Sequence, residues 1–284
     1  SHIIPENQLQ NGKGHTCSGL GNLDRYRDDD LAGNSGHAAV VLNKDTVAPA
    51  GYAITIGSDR IYSGNVTQLH FALTGAEPGT LCSYRIGTAA RTVLEGSFAV
   101  SAALITSPAI DGTSLDDGVV TVAAWLTDAT GNVGGEVSAE VSKDTVAPAG
   151  YAIAFELAWV SAENQSAVTL AVSAGELGAS YHVSIQSGGG GPLVSLDGEC
   201  PDVDHTVGPA DVSGLGDGLL TAILQLTDTF GNVGSVQAGS VRKDTVSPAL
   251  PTVVVTTDPI HGDNATAFGF GGTAEAQATV EYVI

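Results

Sequence analysis

A four-residue segment, Lys-Asp-Thr-Val, occurs three times in this chain, beginning at residues 44, 143 and 243. The first two copies extend to eleven identical residues, KDTVAPAGYAI, at 44–54 and 143–153. Such regularity indicates a tandem array whose unit is about 100 residues long. That period is too long for a helical or leucine-rich solenoid, and it matches the length of one β-sandwich domain. The repeat is therefore the feature that most limits the fold.

The repeat divides the chain into four parts. Residues 44–143 and 144–243 are predicted to be complete modules. Residues 244–284 are predicted to be the N-terminal half of a further module. Residues 1–43 are predicted to be the C-terminal part of a preceding module or an N-terminal extension, and the stretch Leu23–Asp30 is too polar for a core strand.

Alternating apolar residues predict strands that bury one face. The clearest examples are Leu69, Phe71 and Leu73 with their counterparts Val168, Leu170 and Val172, and a later pair of strands with Val120, Val122, Ala124 and Leu126 matched by Leu220, Ala222, Leu224 and Leu226. An Asn precedes the first of these strands in each copy, at Asn65, Asn164 and Asn264. Turn chemistry explains its recurrence without glycosylation, because an Asn side chain can bond its own backbone.

About seven short strands per module, separated by turn residues and without a helix signal of useful length, predict an all-β chain of tandem immunoglobulin-like antiparallel β-sandwiches. The Cys–Trp–Cys pattern of antibody domains is missing. The three cysteines, Cys17, Cys82 and Cys200, occupy unequal places in the repeat. We expect them to be scattered buried thiols, and the alternative is an intermolecular bridge through the odd cysteine.

The formal net charge of −21, from 31 acidic and 10 basic residues, disfavours nucleic acid and anionic membrane surfaces as partners. No apolar stretch reaches the roughly 18 residues of a membrane span. The same charge should attract divalent cations. No histidine recurs at the module period, and no nucleophile elbow or phosphate-binding loop is present, so we expect no enzymatic activity.

The string KDTVAPAGYAI, followed by sandwich strands and then by SGLGDG, LTDTFGN and KDTV between residues 213 and 246, resembles the Ig-like repeats of very large bacterial surface and secreted proteins. These include biofilm-associated and type I-secreted adhesins, and the resemblance covers residues 44–284. It implies an extracellular or cell-surface location and a structural or adhesive role as a stalk or filament module. It also implies Ca²⁺ at junctions between modules, since some members bind it there.

Aspartate recurs at two places in the module: in the linker and before a Gly-Asn turn. The turn should lie at one pole of the sandwich, and the linker to the next module should lie at the same or the neighbouring pole. Carboxylates and carbonyls could there share a Ca²⁺ ion, a cation that takes six to eight oxygen ligands. The alternative is that these carboxylates cap turns by accepting backbone N–H bonds. The candidate ligands are Asp45, Asp144 and Asp244 in the linkers and Asp30, Asp128 and Asp228 before the turns.

The expected partners are adjacent repeats or neighbouring copies of the chain. One hypothesis is head-to-tail polymerisation by strand complementation, in which residues 1–43 complete the half-module 244–284 of another copy. Two alternatives remain open: a module that binds a glycan or a cell-surface protein, for which Trp125 and Trp159 are candidate sugar platforms, and an accessory segment of a secreted hydrolase.

Overall fold

The computed structural model describes residues 23–29, 32–41, 44–88, 91–256, 259–263, 266, 269–276 and 278–283. Within these ranges the chain forms twenty strands and no helix. It divides into two compact units, residues 1–59 with 67–142 and residues 60–66 with 143–284. None of the described segments is a helix of the length and apolar character that a bilayer crossing requires.

Two sheets contain the strands of the first repeat. The strands are β3 (Ala53–Ile56), β4 (Arg60–Ile61), β5 (Phe71–Thr74), β6 (Leu81–Thr88), β7 (Arg91–Ala99), β8 (Leu104–Thr106), β9 (Gly118–Thr127) and β10 (Val137–Lys143). One sheet has the order β3-β5-β8 and the other has the order β4-β10-β9-β6-β7. The pairs β3–β5, β5–β8, β6–β7 and β6–β9 are antiparallel.

The second repeat has the same topology. Its strands are β11 (Ala152–Phe155), β12 (Trp159–Val160), β13 (Val168–Ser173), β14 (Ser180–Ser187), β15 (Val194–Glu199), β16 (His205–Ala210), β17 (Gly218–Thr227) and β18 (Gln237–Lys243). The sheets have the orders β11-β13-β16 and β12-β18-β17-β14-β15. The short strand β12 runs parallel to β18, with Trp159 opposite Arg242 and Val160 opposite Lys243.

The core lies between the two sheets of each repeat. The alternation that predicted it is confirmed, because Val120, Val122, Ala124 and Leu126 are each 0 % exposed. The counterparts Leu220, Ala222, Leu224 and Leu226 are also 0 % exposed. Both repeats are therefore immunoglobulin-like β-sandwiches, as predicted.

Two hairpins lie outside the sandwiches. Strands β1 (Leu23–Asp29) and β2 (Ser35–Val41) pair antiparallel, so the polar stretch at Leu23 is a strand of a two-stranded sheet. Strands β19 (Thr252–Val255) and β20 (Phe270–Thr273) also pair antiparallel, and every residue of both is exposed. Strand complementation through residues 1–43 stays a prediction, because residues 1–22 lie outside the described part of the chain.

The cysteines that the structure describes follow the expectation of buried thiols. Cys82 and Cys200 are both free and buried, and burial raises the pKa of the Cys82 thiol to about 11. Cys17 falls outside the described residues.

Candidate functional site

The linker aspartates cap turns. In each Lys-Asp-Thr-Val segment the Asp Oδ1 accepts a hydrogen bond from the backbone N–H two residues later, at 3.0 Å for Asp45, 2.9 Å for Asp144 and 3.1 Å for Asp244. This is the local bonding that an Asp side chain offers to a turn. Turn capping, one of the two readings that the sequence left open, is thus present at all three linkers.

A second set of bonds forms the turn that leads into the last strand of each sandwich. We call residues 128–132 the first closing turn and residues 228–232 the second closing turn. In the second, Asp228 Oδ1 accepts bonds from the backbone N–H groups of Phe230, Gly231 and Asn232 at 2.7–2.8 Å, and Asp228 Oδ2 accepts one from Asn232 Nδ2 at 2.7 Å. Gly231 adopts φ +100°, a left-handed conformation that favours glycine.

The first closing turn repeats this bonding. Asp128 Oδ1 accepts bonds from the backbone N–H groups of Thr130 at 2.8 Å and Asn132 at 2.9 Å, and Oδ2 accepts one from Asn132 Nδ2 at 2.7 Å. The pKa of Asp128 is lowered to about 2, chiefly by the side-chain bond from Asn132 and further by the bonds from Thr130. The carboxylate is therefore ionised over the whole physiological pH range.

The asparagine of each closing turn joins the turn to the linker. Asn132 Nδ2 donates to the backbone carbonyl of Asp45 at 3.3 Å in the first unit, and Asn232 Nδ2 donates to that of Asp144 at 3.0 Å in the second. Linker and closing turn therefore meet through an amide bridge, but the linker that reaches each turn is the one that precedes the sandwich, whereas the sequence analysis expected the linker to the next module. Asp30 lies outside the described residues, so its placement stays a prediction.

The second closing turn is also covered by the segment Arg60–Val66, which belongs to the second unit and which we call the docking loop. The backbone N–H of Ser63 donates to Asn232 Oδ1 at 2.8 Å, and the Arg60 guanidinium donates to the Thr229 carbonyl. The Tyr62 ring lies over Gly231, 3.5 Å from the point where a Cβ would sit.

The second closing turn, which the docking loop covers, is more deeply buried than the first. Asp228 is 6 % exposed and Asn232 is 0 % exposed. Their counterparts in the first closing turn, Asp128 and Asn132, are only half-buried. The same local bonding thus occurs in two environments: the second closing turn is buried beneath the docking loop, and the first is half-buried.

The docking loop is shaped by its asparagine, as the sequence predicted. Asn65 Oδ1 accepts from the Tyr62 N–H at 2.8 Å, and Asn65 Nδ2 donates to the Arg60 carbonyl at 3.0 Å. The backbone N–H groups of Asn65 and Val66 both donate to the Tyr62 carbonyl at 3.0 Å. The third asparagine, Asn264, lies outside the described residues.

A glutamate that the sequence analysis missed lies near these carboxylates. The pKa of Glu176 is raised, first by burial and then by the negative charges of Asp228 and Asp144. The sequence does contain a signal for this residue, because a glutamate recurs at the repeat period as Glu77, Glu176 and Glu275. The pole of the second sandwich therefore holds a concentration of negative charge.

The lysine of the linker was also missed. Lys143 and Lys243 are only 4 % and 2 % exposed. Lys243 Nζ donates to the backbone carbonyls of Val212 at 2.9 Å, Ser213 at 3.4 Å and Leu215 at 2.5 Å. Three carbonyls satisfy the ammonium, as a buried charge requires. Lysine in this motif thus anchors the end of strand β18 to the loop that precedes β17.

The carboxylates of Asp144, Glu176 and Asp228 lie near one another without forming a preassembled metal centre. Across the described ranges, no three or more His, Cys, Asp or Glu side chains are grouped so as to hold a metal ion. The donor chemistry nevertheless suits Ca²⁺, because carboxylate oxygens and linker carbonyls lie at the same pole. The fit is therefore one of charge and ligand type, and binding would require the carboxylates to move together.

The two tryptophans occupy different settings. Trp125 is half-buried on β9, and Trp159 on β12 is 58 % exposed. A shallow groove of about 400 Å³ lies on the outer face of β6, β9 and β10, where Arg85 and Glu136 form an ion pair at 2.9 Å. A glycan ligand stays a prediction for these surfaces.

Comparison with known proteins gives fold similarity alone. No family model matches the chain, and no curated protein matches it. Among solved structures, the chain is similar to a tetra-tandem repeat from the extending region of a large adhesion protein, with 20 % identity over 87 % of this chain and 62 % of that one, and a TM-score of 0.34.

Two further solved structures belong to ice-binding adhesins. One is a Ca²⁺-stabilized adhesin with which an Antarctic bacterium binds ice, at 18 % identity over 88 % of this chain and 64 % of that one, with a TM-score of 0.48. The other comes from a 1.5-MDa bacterial ice-binding adhesin, at 15 % identity over 78 % of this chain and 73 % of that one, with a TM-score of 0.42. This chain thus spans less than two thirds of the first two.

Proposed function

We propose that this chain is a series of structural modules from the stalk of an extracellular bacterial adhesin, where each sandwich acts as a spacer. The observation that carries the proposal is the bonding of linker to closing turn, repeated in both units through Asn132 with Asp45 and Asn232 with Asp144. A linker tied to its own sandwich has less freedom to bend than a free one, and this is the property a stalk requires.

The residues that recur in the identical segment also support a structural role. Tyr52 donates its hydroxyl proton to the Gly135 carbonyl and accepts a bond from the Leu126 N–H at 3.3 Å. Tyr151 makes the equivalent bonds with Ser235 and Leu226. The tyrosine and the linker aspartate thus fix backbone at the pole that holds the closing turn, and the buried lysine fixes backbone at the other end of strand β17, where Lys243 lies opposite Gly218. Repetition of these residues is what a mechanical array needs.

We include Ca²⁺ in the proposal as a cation that stiffens the junctions. Asp144, Glu176 and Asp228 place three carboxylates at the pole of the second sandwich, and the pKa of Glu176 is raised by burial first and then by the negative charges of Asp228 and Asp144. A divalent cation would neutralise those charges and would draw the carboxylates together. Asp45 and Asp128 offer the equivalent oxygens in the first unit, and Asp244 offers a linker carboxylate in the third repeat.

Single-molecule stretching in Ca²⁺ and in chelator tests the proposal. A mechanical array should unfold in separate events, each releasing roughly 330–360 Å of chain for a module of about 100 residues. Calcium should raise the force of these events if it binds the junctions. A single event for both repeats would contradict the modular stalk, whereas equal forces in Ca²⁺ and chelator would contradict only the calcium part.

The expected partners of such a stalk are adjacent repeats of its own array, and its expected location is the bacterial surface. The resemblance of residues 44–284 to repeats of biofilm-associated and type I-secreted adhesins supports both. The net charge of −21 is compatible with an exposed stalk, because like charges keep neighbouring chains apart.

A further inference from the structure

Among the residues that the structure describes, none covers the first closing turn as the docking loop covers the second. Its tip, residues 129–131, is exposed, and Asn132 is half-buried. The Asn132 amide donates to Asp45, Asp128 and Thr130, yet among the described residues no group donates to its Oδ1. In the second closing turn that atom accepts the Ser63 N–H. The first turn thus presents the acceptor half of a contact seen complete elsewhere in the same chain.

The second repeat presents the donor half. The segment Trp159–Gln165 occupies the place of the docking loop, and its backbone has the same bonding. Asn164 Oδ1 accepts from the Ser161 N–H at 2.8 Å, and Asn164 Nδ2 donates to the Trp159 carbonyl at 3.2 Å. The N–H groups of Asn164 and Gln165 both donate to the Ser161 carbonyl, as those of Asn65 and Val66 do to Tyr62. This second loop is therefore already in the docked conformation.

The second loop is also accessible. Trp159 is 58 % exposed, and Ala162 and Glu163 are exposed. The backbone N–H of Ala162, which corresponds to that of Ser63, has no acceptor among the described residues. At the position of Arg60 the loop carries Trp159, whose indole N–H is a donor and can take the role of the guanidinium. Ser161 is smaller than Tyr62, which leaves space over the glycine of a turn.

We propose that the first closing turn is a docking surface for another copy of this module, through a loop of the Trp159–Gln165 kind. The Ala162 N–H would bond Asn132 Oδ1, and the Trp159 indole N–H would bond the carbonyl of Ala129. The contact is heterologous, because loop and turn are different surfaces, so it joins modules in series. This inference rests on the proposed array for its biological setting, but its geometry comes from the docking loop alone.

The contact is small, so it requires the high effective concentration that a covalent linker supplies. An extended chain provides this: residues 1–243 followed directly by residues 45–284. The join keeps the sequence Lys-Asp-Thr-Val intact. It also places the loop Trp159–Gln165 of the first copy before the turn 128–132 of the second copy, at the same spacing along the chain that separates Arg60–Val66 from the second closing turn.

Trp159 reports docking in this extended chain once Trp125→Phe is made in both copies. Acrylamide quenching of the ordinary chain with Trp125→Phe should show a single accessible tryptophan. The extended chain should show two populations of similar size, one accessible and one shielded, because only the first copy of Trp159 has a turn to dock on. A single accessible population in the extended chain would overturn the proposal.

Position-matched variants separate docking from general destabilisation. Ala162→Pro in the first copy removes the N–H donor and should return the shielded tryptophan to the accessible population. The same substitution in the second copy should leave both populations unchanged. Asn132→Ala made in the second copy should abolish the shielding of the first copy's Trp159. The same substitution made in the first copy should leave that shielding unchanged. Equal effects in both copies would also overturn the proposal, whereas the stretching experiment on the ordinary chain would still decide the stalk role separately.

Discussion

The two closing turns are nearly identical in local structure and differ in their surroundings. Each has an aspartate that accepts backbone N–H bonds and an asparagine that reaches the linker carbonyl. Only the second is covered by the docking loop, and there Asp228 and Asn232 are buried. The comparison shows that local sequence determines the shape of the turn, whereas a segment distant in sequence determines how deeply the turn is buried.

The largest expected effect comes from removing the asparagine at the two turns. Asn232→Ala loses bonds to Ser63, Asp144 and Asp228 and leaves a buried carboxylate with fewer donors, so we expect about 3–5 kcal/mol of destabilisation. Asn132→Ala removes amide bonds at a half-buried site, where water can replace them, so we expect about 1–2 kcal/mol. Urea denaturation should show this order.

Each unit has its own reporter for that measurement. Trp125 lies in the first unit and Trp159 in the second, so Trp159→Phe and Trp125→Phe backgrounds isolate the two transitions. Equal losses from the two Asn→Ala variants would mean that coverage by the docking loop contributes nothing to stability.

A proline pair tests the docking bond itself. In each loop a backbone carbonyl, that of Tyr62 or Ser161, accepts the hydrogen bonds that close the turn. Ser63 and Ala162 are the next residues along the chain, and this turn position tolerates proline. Ser63→Pro removes the N–H that bonds Asn232, so we expect a loss of about 1 kcal/mol. Ala162→Pro removes an N–H without an acceptor among the described residues, so its effect should be neutral or stabilising by about 0.4–1 kcal/mol. Thermal unfolding measures both, and a neutral Ser63→Pro would contradict the contact.

The smallest expected effect concerns Glu176. Because its folded pKa is raised, the folded chain binds the proton more readily than the unfolded chain, whose value is near 4.5. The associated stability is fully present below pH 4.5 and is lost as the pH rises through the higher folded value. Glu176→Gln should therefore stabilise the chain at pH 7 without divalent cations, and its advantage should disappear in acid.

Two comparisons sharpen the Glu176 experiment. Glu199→Gln changes the same charge at an exposed site and should leave the melting temperature unchanged. In Ca²⁺ the wild-type chain should gain more stability than Glu176→Gln, because the variant lacks one carboxylate of the proposed site. An equal gain for both proteins would exclude Glu176 as a ligand.

The fold could be predicted from sequence because its signals are periodic. Alternation at Val120, Val122 and Ala124 identified a buried strand face, and the repeat of Lys-Asp-Thr-Val gave the length of one sandwich. A linker was expected near the closing turn, and Asn132 and Asn232 do connect the two, although through the preceding linker and not the following one. These features depend on residues close in sequence or on a regular period.

The remaining features depend on three-dimensional partners that a period does not identify. Lysine in the linker was not expected to be buried, because its partners are three backbone carbonyls that no side-chain pattern reveals. The docking contact joins residues 169 positions apart. Both halves of that contact occur in each repeat, so the sequence alone could not show which copy is covered.

The central claim is that the docking loop and the second closing turn form one energetically coupled contact. A double-mutant cycle with Ser63→Pro and Asn232→Ala should show a coupling of about 1 kcal/mol, because the two substitutions remove the same hydrogen bond. The matched cycle with Ala162→Pro and Asn132→Ala in the ordinary chain should show additive effects. Additivity in both cycles would contradict the claim.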